Sequence, residues 1–266
     1  MITLDGYTLD YFGLIAQTGH ENGLAPTVDR ILPIALMDGA HDFGSDNGPR
    51  PFNLPLAWAR ELTRIELQSK IRIFTAFLYD SRGKARNIEL RFDYESDKYY
   101  TVRYVGSVTP ERLFSMAFFT LPLIAFDPYA YSNETNNEVT WGSQVITFNS
   151  DYLMGHEGGE TVTIISNDSY NVVLSGFQSL RPTINLDGVG TNVTIQTNGK
   201  SFTIAALGGS AWVINGQRYQ VSKDGSNALN EYSGDFLELF KGDNEVTITG
   251  SSMNFTLQVT FRDKYL

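Results

Sequence analysis

The sequence predicts a mainly β protein built as two β-sandwich-like domains. Three observations carry that prediction. Apolar and polar residues alternate along much of the chain, helical periodicity is confined to one segment, and two Asn-Gly pairs sit between alternating runs where tight hairpins belong. Composition agrees. Of 266 residues, 42% are hydrophobic and 19% charged, which is globular, and 17 Phe, 14 Tyr and 24 Gly favour strands joined by turns.

The helical segment opens on Thr63-Arg64-Ile65-Glu66. This is a capping-box pattern, in which the Thr hydroxyl and the Glu carboxylate take up amides that a first helical turn leaves unpaired. Leu67, Ile71, Phe74 and Leu78 then recur on one face, so a single helix is expected over about 64–79, stopping near Asp80. Before it, short apolar runs such as 30–36 are broken by Gly, Pro and Asp. Residues 39–51 (GAHDFGSDNGPRP) have turn chemistry and read as an exposed loop or hairpin tip.

After the helix the period becomes two. Ile88, Leu90, Phe92 and Tyr94 alternate with polar residues, Tyr100, Val102 and Tyr104 repeat the pattern, and 113–123 supplies another long strand. The helix stripe is expected to cover the apolar face of this sheet. Residues 133–138 (NETNNE) are polar and linker-like, which divides the chain into domains 1–132 and 133–266. The second domain reads as an antiparallel sandwich. Asn198-Gly199 lies between Val193/Ile195 and Phe202/Ile204, and Asn215-Gly216 between 212–214 and 219–221. Both suit type I′ turns. Val246 and Ile248, then Phe255, Leu257, Val259 and Phe261, complete the alternation.

Charge and residue usage bound the function. The net charge of −10 speaks against tight nucleic-acid binding, which needs a dense basic surface. The first half holds 13 basic and 16 acidic residues and the second 7 and 14, a shift that supports two domains. Cysteine is absent, which excludes disulfides, thiolate metal sites and a catalytic thiol. The first residues lack the layout of a signal peptide, and no apolar stretch has the length to cross a bilayer. A protein made in the cytoplasm, soluble and without a membrane partner, is expected.

Candidate chemistry is sparse. His20, His41 and His156 have no partners at metal-ligand spacing. His156-Glu157, set among glycines, reads as a solvated loop. Gly199-Lys200-Ser201 lacks the leading glycine of a phosphate-binding loop, and Gly188-Val189-Gly190 lacks both the third glycine and the helix of a dinucleotide site. Both read as turns. No Gly-x-Ser-x-Gly element positions a nucleophile. A hydrolase would need two of the 30 acidic residues to converge in one pocket with divergent pKa values, and convergence is not written in sequence. Trp141, Trp212, Tyr170 and Tyr219 could line a sugar-binding face, but core and cross-strand packing is the plainer account. Arg82, Lys84, Arg86 and Arg91 cluster about a turn, where a solvated surface is the plainer account than DNA or an acidic partner. The Asn-x-Ser/Thr sequons at Asn133, Asn167, Asn192 and Asn254 carry little weight without a secretory signal. No catalytic, metal or cofactor residue is assigned, and no interface residue is singled out.

An ordered set of stretches carries a family resemblance. GAHDFGSD at 39–46 is followed by PRPFNLP at 49–55, the capped helix ending AFLYD at 76–80, FDYESDKYY at 92–100 and LPLIAFDPYA at 121–130. In the second half come 212–216 (WVING), 227–229, 234–236 and 242–246 (GDNEV). The chain resembles the distal tail proteins of bacteriophages with long, non-contractile tails, especially those of Gram-positive hosts. The resemblance implies an N-terminal ring-forming domain with one helix and a C-terminal galectin-like sandwich. It also implies a hexameric ring, single or stacked, that joins the tail tube to tail-tip or baseplate proteins. DNA would pass through the centre in transit, and the protein would reside at the tail tip of the virion. An acidic chain suits a conduit, since a basic wall would retain the DNA backbone. The competing reading is a carbohydrate-binding protein whose second domain grips host cell-wall polysaccharide. Burial or exposure of Trp141, Trp212 and Tyr219 discriminates between the two.

Overall fold

The structure, a computed structural model, describes residues 1–19, 23–36, 38–58, 63–108, 110–113, 116–139 and 158–266. The fold is mainly β, and the described residues contain one α-helix. The chain divides into two compact units, Met1–Ala130 with Leu266, and Tyr131–Tyr265.

The first unit contains β1 (Ile2–Leu4), β2 (Tyr7–Thr8), β3 (Ile15–Ala16), β4 (Thr27–Leu32), β5 (His41–Asn47), β6 (Arg50–Trp58), the helix α1 (Arg64–Leu78), β7 (Asn87–Phe92), β8 (Lys98–Tyr104), β9 (Glu111–Leu113) and β10 (Met116–Ala125). Its sheet runs β2-β1-β7-β8-β10-β6-β3, with β9 paired to β10. The pairings are antiparallel, and β10 against β6 is the longest, from Ala117↔Trp58 to Ala125↔Arg50. Alternation sends Phe52, Leu54 and Leu56 of β6 and Ala117, Phe119, Leu121 and Leu123 of β10 into one core. Pro122 is tolerated in β10 because only its carbonyl is used beyond the β8 ladder, accepting from the Val105 N–H at 3.3 Å.

The helix begins where its capping box predicts. The Thr63 Oγ1 accepts from the Glu66 N–H at 3.2 Å, and the Glu66 carboxylate accepts from the Thr63 N–H at 2.8 Å. Those bonds hold the exposed Glu66 carboxyl below the usual range. Leu67, Phe74 and Leu78 are buried and Ile71 is half-buried. Phe74 meets Trp58 edge-on at 6.1 Å and Phe119 at 6.1 Å, so the stripe covers the sheet as expected. The Trp58 indole donates to the Phe12 carbonyl at 3.1 Å, which satisfies its buried N–H.

Two expectations for this unit need correction. Residues 39–51 are not mainly loop. His41–Asn47 is a strand paired with Thr27–Leu32, Arg50 onward is β6, and the hairpin's turn lies between Leu32 and His41. Both faces of this ribbon are exposed, so no burial pattern marks it as strand. Nor is 113–123 one strand. Glu111–Leu113 folds back on Met116–Ala125 with Leu113 opposite Met116.

The division between units falls inside β11 (Ala130–Ser132). The second unit then comprises β12 (Val162–Ile164), β13 (Asp168–Leu174), β14 (Thr183–Thr197), β15 (Lys200–Ala206), β16 (Ser210–Asn215), β17 (Gln220–Lys223), β18 (Ser226–Asn227), β19 (Tyr232–Gly234), β20 (Gly242–Thr260) and β21 (Lys264–Tyr265). The long pair β14 and β20 serves both layers. Near one end β14 bonds β16 and β20 bonds β12; near the other they bond β15 and β13. Both strands switch parity midway. In β14 burial passes from Ile184 and Leu186 to Val193 and Ile195, and in β20 from Val246 and Ile248 to Phe255, Leu257 and Val259. Register shifts at Val189/Thr191 and Thr191/Thr194, with positive φ at Asn192 and Ser252, produce the switch. All these side chains thereby reach one core.

Asn198-Gly199 forms the expected two-residue turn, with φ of 47° and 76° between Thr197 and Lys200. Asn215-Gly216 does not. Asn215 pairs with Gln220 across a four-residue loop, its side chain accepts from the Arg218 N–H at 3.0 Å, and the positive φ falls on Tyr219. Glycine is needed at 216 for another reason: a Cβ there would lie 2.7 Å from the Arg181 Cβ. Gly188-Val189-Gly190 is likewise no turn between strands but part of the β14 irregularity. A Cβ on Gly188 would lie 2.4 Å from the Asn254 carbonyl oxygen.

The polar stretch 133–138 also departs from a linker. Asn136 is buried, donates to the Val259 carbonyl at 2.9 Å and accepts from the Phe261 N–H at 2.9 Å. Its amide closes the end of β20, so the segment belongs to the second unit's framework.

Candidate functional site

The surface that stands out in the first unit is apolar and uncovered. The β4–β5 hairpin exposes Val28, Ile31, Leu32, Ile34, Leu36 and Phe43, with Leu36 fully exposed near the tip. Burying such side chains is worth about 1.5–3 kcal/mol each, and contiguous exposed groups of them mark interaction sites. The hairpin is held as a ribbon. Arg30 pairs with Asp46, the Gly44 N–H donates to Asp42 Oδ1 at 2.8 Å, and Asn47 donates to the Tyr129 hydroxyl at 3.2 Å. Its base is fixed by the Gly48 N–H on the Pro26 carbonyl at 2.7 Å and by the Arg50 guanidinium on the Gly23 carbonyl at 2.7 Å. Arg50 is buried over the Tyr100 ring at 4.8 Å, so the ribbon grows from a rigid root. Four aspartates and one arginine lie between Thr27 and Asn47, a net −3.

A second feature lies on the same unit. Between α1 and the sheet is a partly open, mainly apolar cavity of about 230 Å³, lined by Trp58, Phe74, Leu78, Tyr104, Phe119 and Leu121 among others. Burial raises the Tyr104 hydroxyl above its ordinary pKa. The lining helix and the turn that follows it carry Arg64, Lys70, Arg72, Arg82, Lys84 and Arg86 against Glu66 and Asp80, a net +4 over residues 63–86 in a protein of −10. Arg64, Arg72, Arg82 and Lys84 are exposed. The turn is built by Asp80, whose Oδ1 accepts from the Arg82 and Lys84 N–H groups at 2.8 Å each.

The residues singled out from sequence scatter. In the basic cluster, Arg86 pairs with Asp5 at 2.6 Å over the Phe77 ring, and Arg91 pairs with Glu89 at 3.0 Å, which leaves Arg82 and Lys84 as its outward members. Trp212 is fully buried and donates to the Leu207 carbonyl at 3.0 Å, so it is a core residue. Tyr170 is largely buried, and its hydroxyl is raised far above the ordinary tyrosine value by that burial. Tyr219 is exposed beneath Arg181 at 5.1 Å and edge-on to Phe236 at 5.2 Å. His41 is exposed on β5. His20, Trp141, His156 and Glu157 lie outside the described residues. Among the described residues no three His, Asp or Glu side chains gather as a metal site, and no helix is long and apolar enough to cross a membrane. Sequence reasoning missed the apolar hairpin because its residues were read as broken runs and turn chemistry. The cue was six large apolar side chains in a stretch without alternation.

Comparison with known proteins defines a class first. Residues 17–125, all within the first unit, match the family described as the phage tail protein RIFT-related domain. The whole chain is then similar in fold to a particular protein, SPP1 Dit (gp 19.1), described as a paradigm of the hub adsorption apparatus in phages infecting Gram-positive hosts. The TM-score is 0.72 and identity 14%, over 100% of this chain and 98% of that one. Two chains of the phage p2 baseplate in its activated conformation, with Ca and with Sr, each align at a TM-score of 0.46 and 7% identity. They cover 96% and 98% of this chain and 92% and 94% of theirs, a likeness too loose to carry an argument. No curated protein matches the sequence. The resemblance to the distal tail proteins, first drawn from the ordered stretches, holds.

Proposed function

We propose that the protein is a structural, non-catalytic hub of a phage tail tip. In this reading the first unit assembles into a hexameric ring that joins the tail tube to tail-tip or baseplate proteins. A central channel is left for DNA, and the second unit is a galectin-like sandwich. The observation that carries the reading is the match to the phage tail family over residues 17–125, which contain the exposed apolar hairpin. Six large apolar side chains in water are a cost that a subunit contact would remove. The acidic balance of −10 suits a wall past which DNA must slide. The carbohydrate reading loses Trp212 to the core, which leaves Tyr219 as its exposed aromatic among the described candidates.

Light scattering on a sizing column across a concentration series tests this. The expected mass is six chains or a multiple of six. A single chain at every concentration would sink self-assembly as an intrinsic property, and a glycan-binding screen of the second unit would then decide the alternative.

A further inference from the structure

The geometry points to a specific ring contact: the acidic β4–β5 hairpin of one copy seats on the basic helix-and-turn surface of the next, with Leu36 entering the apolar cavity beside α1. This inference rests on the ring reading above and names the two surfaces that would make it. Three observations support a second copy as the occupant. The hairpin is apolar, uncovered and net −3, while residues 63–86 are net +4 within a protein of −10, so the two surfaces are complementary in charge. The exposed tip residue Leu36, and the cavity lined by Trp58, Phe74, Leu78 and Phe119, match as an apolar knob and an apolar hole. Both surfaces belong to the same unit and differ from each other. Such a contact is heterologous: an open chain of copies keeps a free hairpin at one end and a free helix surface at the other, and both are satisfied only when a ring closes.

The contact also explains the rigidity at the hairpin's root. The Arg50–Gly23 and Gly48–Pro26 bonds fix the ribbon before association, so little freedom remains to be lost when it docks.

A charge-swap experiment on the full chain tests the pairing. Variant one carries Asp29→Lys and Asp38→Lys, which take the hairpin from −3 to +1; variant two carries Arg64→Glu, Arg72→Glu and Lys84→Glu, which take the helix and turn from +4 to −2; variant three carries all five. Folding is checked by circular dichroism and thermal midpoint, and mass by light scattering. Wild type and variant three are expected as the closed oligomer, and variants one and two as single chains. Mixing variants one and two should restore the oligomer, because each then offers the other a complementary surface. Leu36→Ser should weaken assembly at least tenfold without lowering the thermal midpoint of the single chain. If wild type assembles and variants one and two assemble equally well, the ring reading survives and this contact is overturned. If variant three stays a single chain while folded, the hairpin does not meet the helix surface. If wild type itself never assembles, the ring reading and the contact fall together.

Discussion

Asp263 is a carboxylate placed where water reaches it poorly. It is 2% exposed, and burial pushes its pKa up to about 6 from 3.8; the Gly176 N–H, donating to Oδ1 at 2.8 Å, and the Ser175 amide offset that only in part. A folded pKa above the unfolded one means that the native state holds the proton more tightly. The stabilisation is complete below the unfolded value and is lost as pH rises through about 6. Asp263→Asn keeps an acceptor for the Gly176 N–H and carries no charge. Denaturant unfolding of the two proteins from pH 4.5 to 7.5 should therefore diverge, with the variant gaining on wild type by on the order of 2 kcal/mol towards neutral pH. Parallel curves across that range would show that burial is not what governs this group. Nothing in the sequence marks Asp263 as different from the other acids, and Asn136 was equally opaque. Its partners, Val259 and Phe261, lie more than a hundred residues away, and a polar run reads as a linker until they are in place.

At the scale of elements, local rules were readable where the controlling contacts are local. The helix start at Thr63 is set by a partner three residues on, and the Asn198-Gly199 turn by its own two backbone conformations. The rules failed where a distant strand decides. Asn215-Gly216 offered the same dipeptide, yet its glycine answers to the approach of Arg181 and Pro182. Gly188-Val189-Gly190 looked like a turn because a period-two pattern breaks there; in the fold the break is a parity switch that lets one long strand serve two layers. This yields a sharp expectation for Gly188→Ala. Its φ of 134° is foreign to alanine, and the new methyl would meet the Asn254 carbonyl and the Phe255 Cα at 2.4 and 2.6 Å. Neither obstacle is a side chain that can swing away. The variant should lose roughly 2–5 kcal/mol of stability in chemical denaturation. Gly199→Ala, also at positive φ but with open space around it, should lose about 1 kcal/mol. Equal losses at the two sites would contradict the close-approach account of Gly188.

At the scale of the whole molecule, self-assembly and any outer function are proposed to reside in different units. The proposed ring surfaces, the hairpin 27–47 and the basic stretch 63–86, both lie within Met1–Ala130. The second unit's core draws on its own strands, from Ile164 to Phe261. If assembly needs only the first unit, residues 1–130 produced alone should be folded and should run as the same closed oligomer as the full chain. Residues 131–266 should be folded and run as a single chain. Circular dichroism and light scattering on both fragments read these outcomes together. The comparison also separates two causes of a weaker assembly. A first-unit fragment that assembles as tightly as the full chain confines the interface to the two surfaces named above. A fragment that is folded yet monomeric, while the full chain assembles, would move the interface to the second unit, and the hairpin would then be left for another tail protein to cover.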